Sequence, residues 1–395
     1  MSLNSTPSAD RIHIGIFGRR NAGKSSIINA ITGQNLAIVS DTKGTTTDPV
    51  LKAMELLPLG PVVLIDTPGL DDEGDLGKLR IEKAYQILNK TDIALLIVDS
   101  SVGMTTEDEK ILARIQDKNI PHLVVYNKCD ILSKMHPVAD HAISVSASTG
   151  MHIQELKEQI ATLTPVSSAS LPLVRDLLKP TDFVVLVVPI DASAPKGRLI
   201  LPQQQTIRDI LEAGAISIVV KDTELKETLK NLGKTPALVI TDSQAFQEVV
   251  KIVPENTKLT SFSILFARYK GDLDLVTNGA YAIDRLRTGD TVLISAGCTH
   301  HRPCEDIGTV KIPRLLKKYT RTALNFEFTS GTEFPTDLSK YSLIIHCGGC
   351  TLNEREMKYR LRCAKDQHIP ITNYGIAIAH MNGILKRSLE PFTEK

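Results

Sequence analysis

The chain has 395 residues, 42% hydrophobic and 23% charged, with 46 basic residues against 45 acidic ones. That length allows two or three domains, each with its own core. A net charge of +1 excludes a general electrostatic pull toward nucleic acid or an anionic membrane.

The first 160 or so residues alternate apolar strand patterns with helical ones. RIHIGIFG, VVLID, IALLIVD, HLVVYN and AISVS read as short strands, and a helix is expected from about Lys24. Such alternation predicts a mostly parallel sheet covered by helices. No apolar run reaches the roughly 18 residues that span a bilayer. The opening MSLNSTPSAD lacks the apolar stretch of a signal peptide. The expectation is a cytoplasmic protein with no membrane partner.

GRRNAGKS, residues 18–25, fits G-x-x-x-x-G-K-[ST] between a strand and a helix, which is the context that motif requires. Loop amides and the helix N-terminus would wrap phosphates, with Gly18 and Gly23 allowing close approach and Ala22 and Ser26 flanking. Lys24 would reach the β and γ phosphates, and Ser25 would ligate Mg²⁺. DTPG ends a strand, with Asp66 in the outer magnesium shell and the Gly69 amide at the γ-phosphate. NKCD follows another strand. Asn127 supports the loop, Lys128 lies along the base, and Asp130 accepts two hydrogen bonds from guanine, which adenine does not offer. SAS, with Ser146 and Ala147, is the expected final loop near the guanine carbonyl. KGTTTD, residues 43–48, supplies Thr46 as the switch ligand to Mg²⁺.

These five motifs, in their order along the chain (GRRNAGKS, KGTTTD, DTPG, NKCD, SAS), resemble the Era- and TrmE-type GTPases over the first 160 or so residues. The resemblance implies GTP and GDP as ligands, and Lys24, Thr46 and Gly69 as the catalytic groups. Two details refine it. Leu70 stands where many GTPases place a glutamine that orients the attacking water, so the water must be positioned otherwise. Asn21 sits in the GxxNxGKS form of potassium-activated members. By resemblance it would hold K⁺ with carbonyls of the 41–44 loop, supplying the charge an arginine finger gives elsewhere. The alternative is that Asn21 only caps its own loop.

A seam follows. TLTPVSSASLPLVRDLLKPTD, residues 162–182, reads as a linker with one short helix. A second β/α series runs through FVVLVVPI, AISIVV and PALVITD, with little of its own to suggest chemistry. A third begins near Ser261 and includes TVLISAG, NFEFTS, YSLIIHC and IPITNY. The expected division is a GTPase domain over 1–164, a linker over 165–180, a middle domain over 181–260 and a last domain over 261–395.

Six cysteines in a chain this long do not make a disulfide scaffold, and clustered ones point to metal or redox chemistry. Cys298-Thr-His300 and His346-Cys347-Gly-Gly-Cys350 each follow a predicted strand, and strand ends of a parallel sheet share one edge. Gly348 and Gly349 would let the backbone turn around a bound group. Three cysteines and a histidine suit a tetrahedral zinc. Three cysteines alone suit a 4Fe-4S cluster with one special iron. Spacing does not choose between them. Cys129, Cys304 and Cys363 read as ordinary thiols, and His301 as a surface or supporting group.

With these motifs on the page, the whole chain resembles the HydF family of FeFe-hydrogenase maturation GTPases. The signature is Cys-x-His, a long spacer (45 residues here), then His-Cys-x-x-Cys. PIDASAPKGRLILPQQQTIRD, TSFSILFARYKGDL and HCGGCTLNEREM look like the same family. The resemblance implies that 181–260 dimerises and that 261–395 binds a 4Fe-4S cluster through Cys298, Cys347 and Cys350. His300 or His346 would be a fourth ligand or a supporting group. It also implies a homodimer or higher oligomer that carries the di-iron subcluster, with two radical-SAM maturases and the apo-hydrogenase as partners. The competing expectation is a zinc-binding Era-like GTPase acting as an RNA or ribosome assembly switch.

Overall fold

The computed structural model describes residues 8–33, 50–57, 59–69, 84–132, 141–163, 171–190, 199–297, 306–331 and 333–393. Thr46, Leu70, Cys298, His300, His301, Cys304 and the 41–44 loop lie outside the described residues. The chain divides into two compact units, Met1–Ser168 and Ala169–Lys395.

The first unit is built on a six-stranded sheet in the order β2-β3-β1-β4-β5-β6. Its strands are β1 (Ile12–Phe17), β2 (Val50–Leu56), β3 (Gly60–Asp66), β4 (Ile93–Asp99), β5 (His122–Asn127) and β6 (Ala142–Ser144). All pairings are parallel except β2 with β3. The central strands are apolar on both faces; IALLIVD of β4 is buried from Ile93 through Val98, as expected for a sheet covered twice. Sequence patterning missed β2. VLKAMEL alternates at an exposed edge, so it lacks the continuous apolar run that marks the inner strands.

The second unit holds two four-stranded parallel sheets. The first contains β7 (Phe183–Val187), β8 (Ile216–Val220), β9 (Leu238–Thr241) and β10 (Leu259–Ser261), in the order β10-β9-β7-β8. The second contains β11 (Thr291–Ala296), β12 (Asn325–Ser330), β13 (Leu343–His346) and β14 (Ile371–Asn373), in the order β12-β11-β13-β14. One apolar cluster spans both. Val185, Val187 and Val239 from the first sheet share it with Leu293 and Ile344 from the second, and Phe246, Ile264 and Leu361 of intervening helices join them. A shared core of this kind fixes the sheets against each other, because close-packed side chains resist sliding.

The expected linker holds a single turn of 3-10 helix at Arg175–Leu177. Among the described residues, no helix is long and apolar enough to cross a membrane. Phe246 is fully buried in the shared core. Phe246→Ala is expected to cost the second unit about 3–5 kcal/mol, read as an earlier urea transition of the full chain.

Candidate functional sites: a nucleotide loop and a cysteine cavity

In the first unit, β1 runs into the 18–25 loop and the helix Lys24–Thr32. Gly18 and Gly23 have φ of 140° and 92°. A Cβ on Gly18 would lie 2.3 Å from the Ile97 carbonyl oxygen, and one on Gly23 would lie 2.1 Å from Asn127 Nδ2. Only glycine fits either place. Asn21 is also left-handed, with φ of 60°. The Lys24 side chain is drawn back over the loop, donating to the Gly18 and Arg19 carbonyls at 2.9 and 2.8 Å. An ammonium so placed borders the space that the loop amides enclose.

The other motifs close around it. Ser25 Oγ donates to Asp66 Oδ2 at 3.1 Å. Burial pushes the Asp66 carboxyl up, against the pull of Lys24 and Ser25; a cation here would hold it ionised. Thr67 Oγ1 donates to the Ile16 carbonyl at 2.6 Å, which clips the DTPG turn to β1. A Cβ on Gly69 would meet Arg20 at 3.1 Å, so that glycine lies against the phosphate loop.

Asn127 is the keystone. It is 2% exposed, and its Nδ2 donates to the Ala22 carbonyl at 3.0 Å. Its Oδ1 accepts from the Ala147 amide at 3.1 Å. One side chain thus ties the phosphate loop, the NKCD turn and the SAS loop. Lys128 is left-handed, with φ of 64°, and its Nζ lies 2.5 Å from Asp99 Oδ2. Burial opposes ionisation of Asp99, yet hydrogen bonds from Lys128 and Ser101 hold its carboxyl below the usual range. Ser146 Oγ lies 2.9 Å from Ser148 Oγ, and Ser148 Oγ approaches Asp130 Oδ2 at 3.4 Å. Gly23, Ser26, Asn127, Lys128, Asp130 and Ala147 line one cavity of about 630 Å³. Residues of the 18–25 loop and of the NKCD and SAS motifs therefore share a single cleft. Thr67 and Asp99 were not given roles from the sequence; Thr67 clips the DTPG turn to the backbone of β1, and Asp99 pairs with the Lys128 side chain.

In the second unit, β11 and β13 pair in parallel with Ser295 opposite His346. The residues after both strands therefore leave the sheet side by side. Cys347 N donates to the Ser295 carbonyl at 2.9 Å. The Cys347 sulfur accepts from the Gly297 amide at 2.9 Å and the Gly349 amide at 3.4 Å. Two backbone amides are thus aimed at one sulfur. Gly349 has φ of 65°, which carries the chain around toward Cys350. Thr351 Oγ1 donates to the Gly297 carbonyl at 2.9 Å, closing the turn onto the end of β11.

His346 is 1% exposed, and both ring nitrogens are engaged. Nδ1 lies 2.6 Å from the Cys347 carbonyl and Nε2 lies 3.0 Å from Arg360 Nη1. A carbonyl can only accept and a guanidinium can only donate, so Nδ1 carries the proton. Burial and the nearby Arg360 charge push the imidazole pKa down to about 3, leaving the ring neutral at pH 7. Arg360 is fully buried. It also donates to Ser295 Oγ at 3.2 Å and the Gly331 carbonyl at 2.7 Å, and pairs with Glu356 at 2.8 Å. The sequence offered one faint signal for this network: Glu356 and Arg360 stand at i, i+4 on one helix.

Cys347 and Cys350 line a cavity of about 280 Å³. Asp242 and Ser243, which follow β9, and Phe262, Ser263 and Phe266, on the helix Phe262–Lys270 that follows β10, also line it. The middle segment, 181–260, expected to carry little chemistry, thus contributes Ile200, Pro202, Asp242 and Ser243 to the lining of the cysteine cavity. Among the described residues, no three His, Cys, Asp or Glu side chains cluster as a metal site.

Fold and loop together define a P-loop GTPase. The family model of a 50S ribosome-binding GTPase matches residues 13–128. The models of the hydrogen maturase F dimerization and tetramerization domains match residues 173–271 and 274–391. The chain belongs to the hydrogen maturase F family. It is 36% identical to GTPase Der of Wolinella succinogenes over 43% of this chain and 39% of that protein. It is 36% identical to the tRNA modification GTPase MnmE of Chromobacterium violaceum over 40% of this chain and 36% of that protein. The matches span well under half the length of these relatives. The Aquifex aeolicus Era structure bound to GDP and aluminium fluoride aligns at 22% identity and a TM-score of 0.36, over 61% of this chain and 97% of that one.

Asn127→Ala removes both bonds that hold the three loops. Leaving each partner buried costs about 1–3 kcal/mol. GDP affinity by calorimetry is expected to fall roughly 10- to 100-fold.

Proposed function

We propose that this protein hydrolyses GTP and serves as an oligomeric scaffold that holds a 4Fe-4S cluster for hydrogenase maturation. The observation that carries the second half is the cavity lined by Cys347 and Cys350, with two backbone amides on the Cys347 sulfur.

The GTP half rests on the shared cleft. Asp130 reads guanine, Lys24 meets the β and γ phosphates, and Ser25 with Asp66 holds Mg²⁺, Thr46 completing the set. Asn21, with the 41–44 loop, is the K⁺ position. The left-handed Asn21 backbone turns the loop between Arg20 and Ala22, which supports a side chain set at the phosphate bridge.

The donor set fits an iron–sulfur cluster. Thiolate ligands, amide hydrogen bonds to sulfur and a largely apolar wall are what such a group requires. Cys347 and Cys350, with Cys298, would hold three irons. Bound there, the cluster supplies a redox-active centre and an iron open to exchange. His346 already spends both nitrogens on Cys347 and Arg360, which supports a bracing role over ligation. His300 remains as a candidate fourth ligand. The cargo is a di-iron unit received from two radical-SAM maturases and passed to the apo-hydrogenase.

Oligomer formation has a physical basis in β8. It is an edge strand of its sheet, and Ile216 and Val219 are 43% and 45% exposed. An apolar open edge is a template for a second copy.

Three outcomes test this reading. Asp130→Asn is expected to lose GTP binding and gain xanthosine triphosphate; unchanged GTP affinity would refute guanine reading. Cys347→Ala is expected to lose most of its iron while His346→Ala keeps most of it; equal loss would make His346 a ligand. Val219→Lys is expected to lower the oligomer mass by light scattering, and an unchanged mass would move the interface elsewhere.

A further inference from the structure

Asp99 ends β4 and stands opposite Asn127, the last residue of β5, in the parallel register of the two strands. The Ser100 amide donates to the Asn127 carbonyl at 2.9 Å, so both strands finish at the same level. Lys128 follows at once with a left-handed backbone. A non-glycine residue keeps that conformation only where its surroundings over-determine it. Its side chain reaches back to the end of β4, where Nζ donates to Asp99 Oδ2 at 2.5 Å. The other carboxylate oxygen is held from behind. Asp99 Oδ1 accepts from the Ser101 amide at 2.9 Å and the Ser101 hydroxyl at 2.6 Å. The Val102 and Gly103 amides donate to the Asp99 carbonyl at 3.1 and 2.9 Å, which closes the turn around it.

Lys128 lines the nucleotide cavity beside Asp130, Ala147 and Ser148, and Asp99 does not line it. Whatever Asp99 does for a bound nucleotide therefore passes through Lys128. A lysine side chain carries much rotamer freedom, and one left loose must be ordered when a ligand arrives. This one is held at both ends before any ligand binds. Strand pairing fixes its backbone, and a charge-assisted hydrogen bond fixes its ammonium. Between them the aliphatic stem offers an apolar edge to the cavity.

We propose that Asp99 is a positioning residue of the GTPase site, anchoring the Lys128 ammonium so that its stem stands as a preformed ledge for the purine ring. The proposal rests on the guanine-site reading above. The two carboxylates near the base then have separate tasks. Asp130 reads the edge of the ring, through the N1–H and the exocyclic amine, and so discriminates between bases. A ledge under the face of the ring meets guanine and hypoxanthine alike. Asp99 therefore sets how tightly a purine nucleotide is held, and leaves the preference of guanine over hypoxanthine where Asp130 put it.

The test is a double-mutant cycle on the full chain, with GDP and inosine diphosphate affinities measured by calorimetry in the presence of Mg²⁺. Asp99→Asn is expected to weaken both nucleotides by the same factor, about tenfold. In a Lys128→Met background the same substitution is expected to change either affinity less than about twofold, because its only route to the ligand is gone. Unchanged GDP affinity in Asp99→Asn overturns the proposal. So does an equal loss in both backgrounds, which would mark a general effect on the fold. A loss confined to GDP also overturns it, since that would place the effect on the base edge. If Asp99→Asn does not fold, the cycle is run with Asp99→Ser; failure of both to fold makes Asp99 a structural residue and overturns the proposal. Wild-type protein that binds ADP as tightly as GDP overturns the guanine-site reading, and this proposal with it. A wild type that prefers GDP, matched by Asp99→Asn, overturns the Asp99 proposal alone.

Discussion

The second unit depends on one apolar core shared by two parallel sheets. Val185, Val187 and Val239 on one side and Leu293 and Ile344 on the other belong to a single buried cluster. In a parallel sheet the carboxyl ends of the strands gather along one edge, and that edge is where ligands bind. Packing two such sheets together brings residues that follow β9, β10, β11, β13 and β14 around one cavity. The cysteine pair needs this arrangement. A Cys-x-x-Cys turn on a lone strand end would be open to water, and open water weakens the electrostatic control a protein exerts on a redox centre.

The first unit reaches a similar result by a different device. Here one buried amide side chain, Asn127, does the joining. It uses one donor and its acceptor to tie the phosphate loop to the SAS loop. Both partners are backbone groups, so the geometry depends little on the identity of their side chains. The Asp99–Lys128 pair and the Thr67 clip onto β1 brace the same loops from outside. Each contact is modest alone, but buried polar groups that satisfy one another rigidify a site and penalise any partial opening.

Much of this was legible in the sequence because the chemistry demands fixed residue types at fixed spacing. GRRNAGKS, DTPG and NKCD announce the nucleotide cleft, and every inner strand of the first sheet shows as an apolar run. HCGGC announces a tight turn that carries two cysteines. What stayed hidden follows a common physical pattern. β2 alternates at an exposed edge and β10 is only three residues long, so neither gives a strong periodic signal. Arg360 and Lys270 are charged residues on helices, and in sequence they look like solvated surface. Only the packing shows that both are buried beside the cysteine turn. Phe262, Ser263 and Phe266 fall in the family-like stretch TSFSILFARYKGDL, but nothing in that stretch or at Ser243 marks a lining residue; they become part of a site only by bordering the cysteines.

The proposed scaffold role stands or falls with an iron–sulfur cluster in the cavity lined by Cys347 and Cys350. The most direct measurement is iron, acid-labile sulfide and zinc analysis of full-length protein purified without air, with electron paramagnetic resonance of the reduced sample. About four iron and four sulfide per chain are expected, with no stoichiometric zinc and a paramagnetic signal on one-electron reduction. One zinc per chain with no iron and no signal would contradict it.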